Sequence, residues 1–193
     1  MNNNYLDSAI KQFQYYRMLG ERAMVQIPDE KLFWQFNNDS NSIAIIVKHL
    51  AGNMLSRWTD FLTKDGEKEW RNRDDEFEST IQSKEDLMRL WSSGWEACFQ
   101  TLLSLNENDL EKTIYIRNQG HTVMEAINRQ LAHYPYHVGQ IVFIAKMFTP
   151  NWKSLSIPKG NSKSYNEAKF HQTRHQEHFS DEYLNDKRSI EKS

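Results

Sequence analysis

Apolar residues recur every three or four positions along most of this chain, the period of an α-helix that buries one face. Leu6, Ile10, Phe13, Tyr16, Leu19, Ala23 and Ile27 form the first such stripe, so a helix is expected from about Leu6 to Ile27. Pro28 ends it, because proline has no N–H to give a helix. Phe33, Trp34 and Phe36 are then expected to pack over one end of the core. A second helix should begin at Ser40 or Ser42, either of which can accept from exposed N–H groups. Its stripe is Ile43, Ile46, Val47, Leu50, Met54, Trp58 and Phe61. A third starts at Ser83, with Asp86 at capping-box spacing, and carries Leu87, Leu90, Trp91, Gly94, Cys98, Leu102 and Leu105. The fourth opens on the capping box Thr122 to Glu125 and buries Val123, Ile127, Leu131, Tyr134, Val138, Ile141, Ala145 and Phe148. Thr149-Pro150-Asn151 stops it.

The segments between the stripes set the topology. Residues 65–82 are polar and charged and read as a solvated loop. That loop is long for a tight antiparallel turn, and a connection of this length can cross the bundle and leave its second and third helices parallel. Thr113 to Arg117 alternates, which predicts a short extended piece, with Asn118-Gln119-Gly120 as a turn and His121 in a loop. Beyond residue 150 the chain turns polar and apolar-poor, and a solvated helix or frayed tail is expected there. The reading is all-α: a four-helix bundle over residues 1–150 and a polar C-terminal extension over 151–193.

Composition narrows the function. A chain of 193 residues with 38% hydrophobic and 12% aromatic residues can bury one real core. Only 7 glycines and 4 prolines interrupt it, which favours long helices. A net charge of −2 offers no basic face for nucleic acid. No run approaches the apolar length of a membrane span. Met1-Asn2-Asn3-Asn4-Tyr5 lacks the basic then apolar pattern of a signal peptide, and a lone cysteine, Cys98, fits a reducing interior, so a cytoplasmic protein is expected. Cys98 lies on an apolar stripe, where packing rather than nucleophilic chemistry is expected of it.

The candidate chemistry is histidine. His133 and His137 stand four residues apart, so a helix carries both imidazoles on one face, one turn apart, where one metal ion can bridge them. Gln130, Gln140 and Ile144 share that flank, and Pro135 is expected to kink or loosen the helix between the two rings. Two ligands do not make a tight site. His49, on the flank of the second helix with Asn53 one turn on, is the candidate third; read alone, it is a partly buried histidine with a hydrogen-bond partner. His171, His175 and His178 form a rival cluster at helix-compatible spacing, but among polar neighbours that would give an exposed, weak site.

Lys48-His49-Leu50-Ala51-Gly52-Asn53, Asn128-Arg129-Gln130-Leu131-Ala132-His133 and His137-Val138-Gly139-Gln140-Ile141 together resemble the DinB/YfiT-like superfamily of metal-binding four-helix bundles. The resemblance covers roughly residues 1–150. Ser156-Ile157-Pro158-Lys159-Gly160 is similar to the ending of an uncharacterised bacterial subgroup. The resemblance implies up-down-down-up connections, a divalent metal held by His49, His133 and His137, and a homodimer. It also implies a function, since characterised relatives include transferases and isomerases that use low-molecular-weight thiols such as bacillithiol, mycothiol or glutathione.

Three protein ligands leave a coordination position open, which is the arrangement of a catalytic rather than a structural metal. Imidazole suits zinc, nickel, copper or iron, and zinc or nickel is expected here. The leading expectation is a metal-dependent transferase acting on a small-molecule substrate with a low-molecular-weight thiol. In that reading Arg129, one turn before His133, would hold a carboxylate of the thiol, and Asn53 and Gln140 would orient ligands or water. The alternatives are a non-catalytic, metal-stabilised module acting through a dimer or partner, and a metal-dependent hydrolase. The hydrolase is disfavoured because neither histidine motif contains a carboxylate to serve as base.

Overall fold

A computed structural model describes residues 4–185. Four long helices dominate it: α1 (Asn4–Met24), α2 (Ile43–Trp58), α3 (Lys84–Ser104) and α4 (Val123–Met147). Their starts follow the sequence. The Ser42 hydroxyl accepts from the Ile45 N–H at 3.2 Å, Ser83 accepts from Asp86 N–H at 3.1 Å, and Thr122 and Glu125 form the reciprocal capping box. Their ends come earlier than the stripes suggest. α1 stops at Met24, where Gln26 N–H bonds back to the Ala23 carbonyl in a tighter turn, and α2 stops at Trp58, before Asp60 adopts a φ of 51°. Ile27 and Phe61 remain buried outside helical geometry, because burial does not require the helix to continue. α4 runs as one continuous helix through Pro135, which only forfeits the bond its missing N–H would make.

Contacts along the helices fix their directions. α2 and α3 are parallel: Ala51 lies against Gly94, and seven residues further along each helix the Thr101 hydroxyl donates to the Trp58 carbonyl at 2.8 Å. Gly94 permits the approach, since a Cβ there would stand 3.0 Å from the Ala51 Cα. α1 and α4 are parallel too, with Tyr5 donating to Asn128 at one end and Thr149 donating to the Gln26 carbonyl at the other. The pairs oppose each other, because Phe13 meets Trp95 while the later Glu21 accepts from the earlier Trp91. The connections are therefore up-down-down-up. Phe13, Trp58, Trp91, Trp95 and Tyr134 fill the centre. Tyr134 is wholly buried, and its hydroxyl is satisfied by Trp58 Nε1 as donor at 3.0 Å and Asn53 Oδ1 as acceptor at 3.2 Å.

Three connections differ from expectation. The first is 65–82, which is only partly a solvated loop. It folds over α2, burying Lys68 and Glu76 and leaving the Arg71 side chain only 2% exposed. Asp65 pins it to the hairpin by accepting from the N–H groups of Arg117 and Asn118, at 2.8 Å each. The second is that hairpin, β1 (Thr113–Ile116) paired antiparallel with β2 (Gln119–Thr122). Arg117 and Asn118, with φ of 55° and 61°, make its two-residue turn, so His121 lies on β2 opposite Ile114 rather than in a loop. Phe36 is the third departure: it is 77% exposed, while Trp34 packs on Phe148.

The tail is in part the solvated helix expected of it and in part a docked segment. It forms α5 (Ser162–Phe170) and α6 (Asp181–Leu184) and docks on α1. Lys11 pairs with Asp181 at 2.8 Å, His178 meets the Ser8 hydroxyl at 3.2 Å, and Tyr15 packs against Phe179 and Tyr183. The part of the expected extension beyond residue 185 lies outside the described residues. Among the described residues no helix is long and apolar enough to cross a membrane.

Candidate metal centre

α2 and α4 face each other across the site. α2 brings up His49, which is 6% exposed, and α4 brings up the half-buried His133 and His137 on successive turns. One ring nitrogen from each of the three lies within 4.8 Å of the other two. His49 Nε2 and His133 Nε2 are 3.4 Å apart, and the His137 ring centre is 4.9 Å from that of His49 and 4.8 Å from that of His133. The sequence reading and the structure agree on which three histidines come together.

The opposite edge of every ring is occupied. His49 Nδ1 meets Glu76 Oε2 at 2.9 Å, His133 Nδ1 meets Gln130 Oε1 at 3.3 Å, and His137 Nδ1 meets Gln140 Oε1 at 2.7 Å. Each Nδ1 faces an acceptor, which fixes the orientation of its ring. At 3.4 Å the Nε2 atoms of His49 and His133 are close enough for one ion to bridge them. Three imidazoles with oriented outer partners are the donor set of a transition-metal site, and the residues present fit a divalent ion.

Glu76 links the site to a buried ion-pair network. Both of its oxygens also accept from Arg71, Nε to Oε1 at 2.7 Å and Nη2 to Oε2 at 2.9 Å. Arg71 reaches Glu67, which Arg57 and Arg117 also contact, each at 3.1 Å. Burial pushes the Glu76 carboxyl pKa up, but its bonds to His49 and Arg71 outweigh that and leave it below the usual range. Phe77 stacks on the His49 ring at 5.0 Å. Burial, then the neighbouring imidazoles of His137 and His49, pull the His133 pKa down to about 3. Burial also lowers that of His137, against the opposing bond to Gln140. Both rings are therefore neutral at physiological pH, the form that binds metal.

A cavity of about 330 Å³ opens on the three imidazoles, so they are reachable from solvent. Of the other sequence candidates, Gln140 supports His137 directly. Asn53 is buried on the cavity wall, held by Tyr134, and Arg129 is exposed at the rim. Sequence reasoning missed Glu76, Arg71 and Phe77. They lie in a charged stretch without periodicity, and its unusual length was the one available signal.

A family described as "Protein of unknown function (DUF1572)" matches residues 1–161. This chain belongs to that family. No curated protein and no solved structure matches the chain. The DUF1572 match includes all three histidines with Glu76, and it stops before α5. The tail histidines are not gathered. His171 caps α5, while His175 and His178 lie between α5 and α6 rather than on a helix. His175 contacts the Thr173 carbonyl and Glu177, and His178 contacts Ser8 and Ser180. Among the described residues the bundle site is the cluster that can hold a metal.

Proposed function

We propose that this DUF1572 protein is a DinB/YfiT-like metalloprotein that binds one divalent ion, zinc or nickel, through His49, His133 and His137 and uses the open coordination position for thiol transfer. The observation that carries the reading is the convergence of three imidazoles, each with its Nδ1 occupied, in an open cavity. A bound ion of this kind supplies a Lewis acid that favours the thiolate form of a thiol at neutral pH. The chain's own residues do the rest. Glu76, Gln130 and Gln140 hold the ring orientations, Asn53 and Phe77 shape the wall, and the cavity admits a metabolite-sized molecule.

Two observations weigh between this and the alternatives. Both oxygens of Glu76, the carboxylate nearest the site, are committed to Arg71 and His49, which leaves a hydrolytic water without a base. A purely structural site would close its fourth position, whereas this one opens to solvent. The test is substitution with cobalt(II), whose d–d bands and sulfur charge-transfer band report ligands directly. Addition of glutathione or cysteine should produce a thiolate-to-cobalt band in the wild type. A spectrum unchanged by thiols at millimolar concentration would overturn the thiol reading.

A further inference from the structure

The walls of the metal cavity are unusually rich in one side chain. Arg57, Arg71, Arg73, Arg117 and Arg129 all line it. Among the described residues their carboxylate partners are Glu67 and Glu76 alone. Arg73 and Arg129, both exposed at the mouth, pair with no carboxylate of the described residues; Arg73 lies over the Phe77 ring at 5.6 Å. Arg57 is 6% exposed, and its Nε is buried with no hydrogen-bond partner. A buried guanidinium donor left unsatisfied is costly, and such atoms are rare in native proteins unless something completes them. The three imidazoles contribute no negative charge to offset this excess, and a divalent ion would add to the positive side.

We infer that the cavity is an oxyanion subsite, taking a small molecule that carries a carboxylate or phosphate group. Arg73 and Arg129 clamp that group at the mouth, and Arg57 lies deeper on the same wall. This rests on the metal reading for what the other end of the molecule does, but not for the anion contact itself. Guanidinium is suited to the task, because its planar fork matches both carboxylate and phosphate in two-point contact and keeps its charge when partly desolvated. Glu67 holds Arg57, Arg71 and Arg117 in place, so the cationic wall behind the clamp is built before any ligand arrives. A substrate bearing its anionic group on one end would be steered in and oriented with its other end at the imidazoles.

The test uses the full chain, reconstituted with zinc, and titrates inorganic phosphate and malonate by calorimetry against a chloride blank of equal ionic strength. The same titrations are run on Arg73→Gln/Arg129→Gln, two exposed positions whose change leaves the core intact, and metal content is measured on every sample. The expected result is saturable binding of at least one probe, weakened tenfold or more in the double variant at unchanged metal content. Phosphate binding over malonate would mark a phosphorylated ligand, and the reverse a carboxylic acid. Absence of binding for both probes, or equal binding in wild type and variant, would overturn the inference while a stoichiometric metal left the metal reading standing. Should zinc fail to bind, the metal reading falls, and the same titrations on the metal-free protein still decide the arginine clamp.

Discussion

Gly52 and Glu76 are fitted to each other. A Cβ built on Gly52 would fall inside the contact radius of the Glu76 carboxylate, which occupies that space to reach His49 one turn earlier on α2. Gly52→Ala should therefore push Glu76 off the His49 ring without altering any of the three proposed ligands. Loss of such an outer partner typically costs roughly 10–100-fold in metal affinity. Competition against a chromophoric chelator should show that loss, with helical circular dichroism unchanged.

Removing Glu76 itself should cost stability as well. The pair it forms with Arg71 is almost fully buried, and breaking such a pair leaves an uncompensated charge worth about 3–5 kcal/mol. Urea unfolding of Glu76→Ala, metal-free, should show a drop of that order, whereas removing an exposed pair such as Lys64 with Asp60 should cost about 0–1 kcal/mol. Equal effects at the two sites would show that the network is not buried in solution.

The pH dependence has a definite sign. An unfolded histidine titrates near pH 6.5. His133 in the fold resists protonation down to about 3, through burial and the facing imidazoles of His137 and His49. Between those values the unfolded chain binds the extra proton, so folding stability is full above about pH 6.5 and falls as pH drops toward 3. Glu76 works in the same direction at lower pH, because its depressed pKa makes the folded state lose stability as it is protonated. Metal should make the loss steeper, since protons compete for the same nitrogens. Urea midpoints at pH 7.5, 6 and 5, with and without zinc, check the slope.

These outcomes separate what the sequence carried from what it did not. The four apolar stripes named the helices, and Ser42, Ser83 and Thr122 marked three of their starts, because caps and periodicity are local signals. His49, His133 and His137 were legible from i, i+4 spacing and a family phrase. Glu76, Arg71 and Phe77 were not, because their placement depends on how 65–82 folds over α2, and no local period encodes that. The docking of α6 on α1 was hidden for a similar reason: Lys11–Asp181 and Tyr15–Tyr183 join residues far apart in a segment too polar to announce a buried face.

Cys98 gives a check on the core that is independent of metal. The chain has 1 cysteine; it is fully buried, and burial raises its pKa well above that of a free thiol. Native protein should not react with a disulfide reagent on the timescale of minutes, and denatured protein should release about one equivalent, since only the exposed thiolate attacks. Rapid reaction in the native state would contradict the packing of α3.

The most direct test of the account is metal content by elemental analysis of tagless protein, after reconstitution with zinc, in the wild type, in His137→Ala and in a chain ending after Gly160. The account predicts about one ion per chain in the wild type and the shortened chain, and its loss in His137→Ala, as expected of a three-histidine site deprived of one ligand. Metal retained in His137→Ala but absent from the shortened chain would contradict it, and would move the site to the tail.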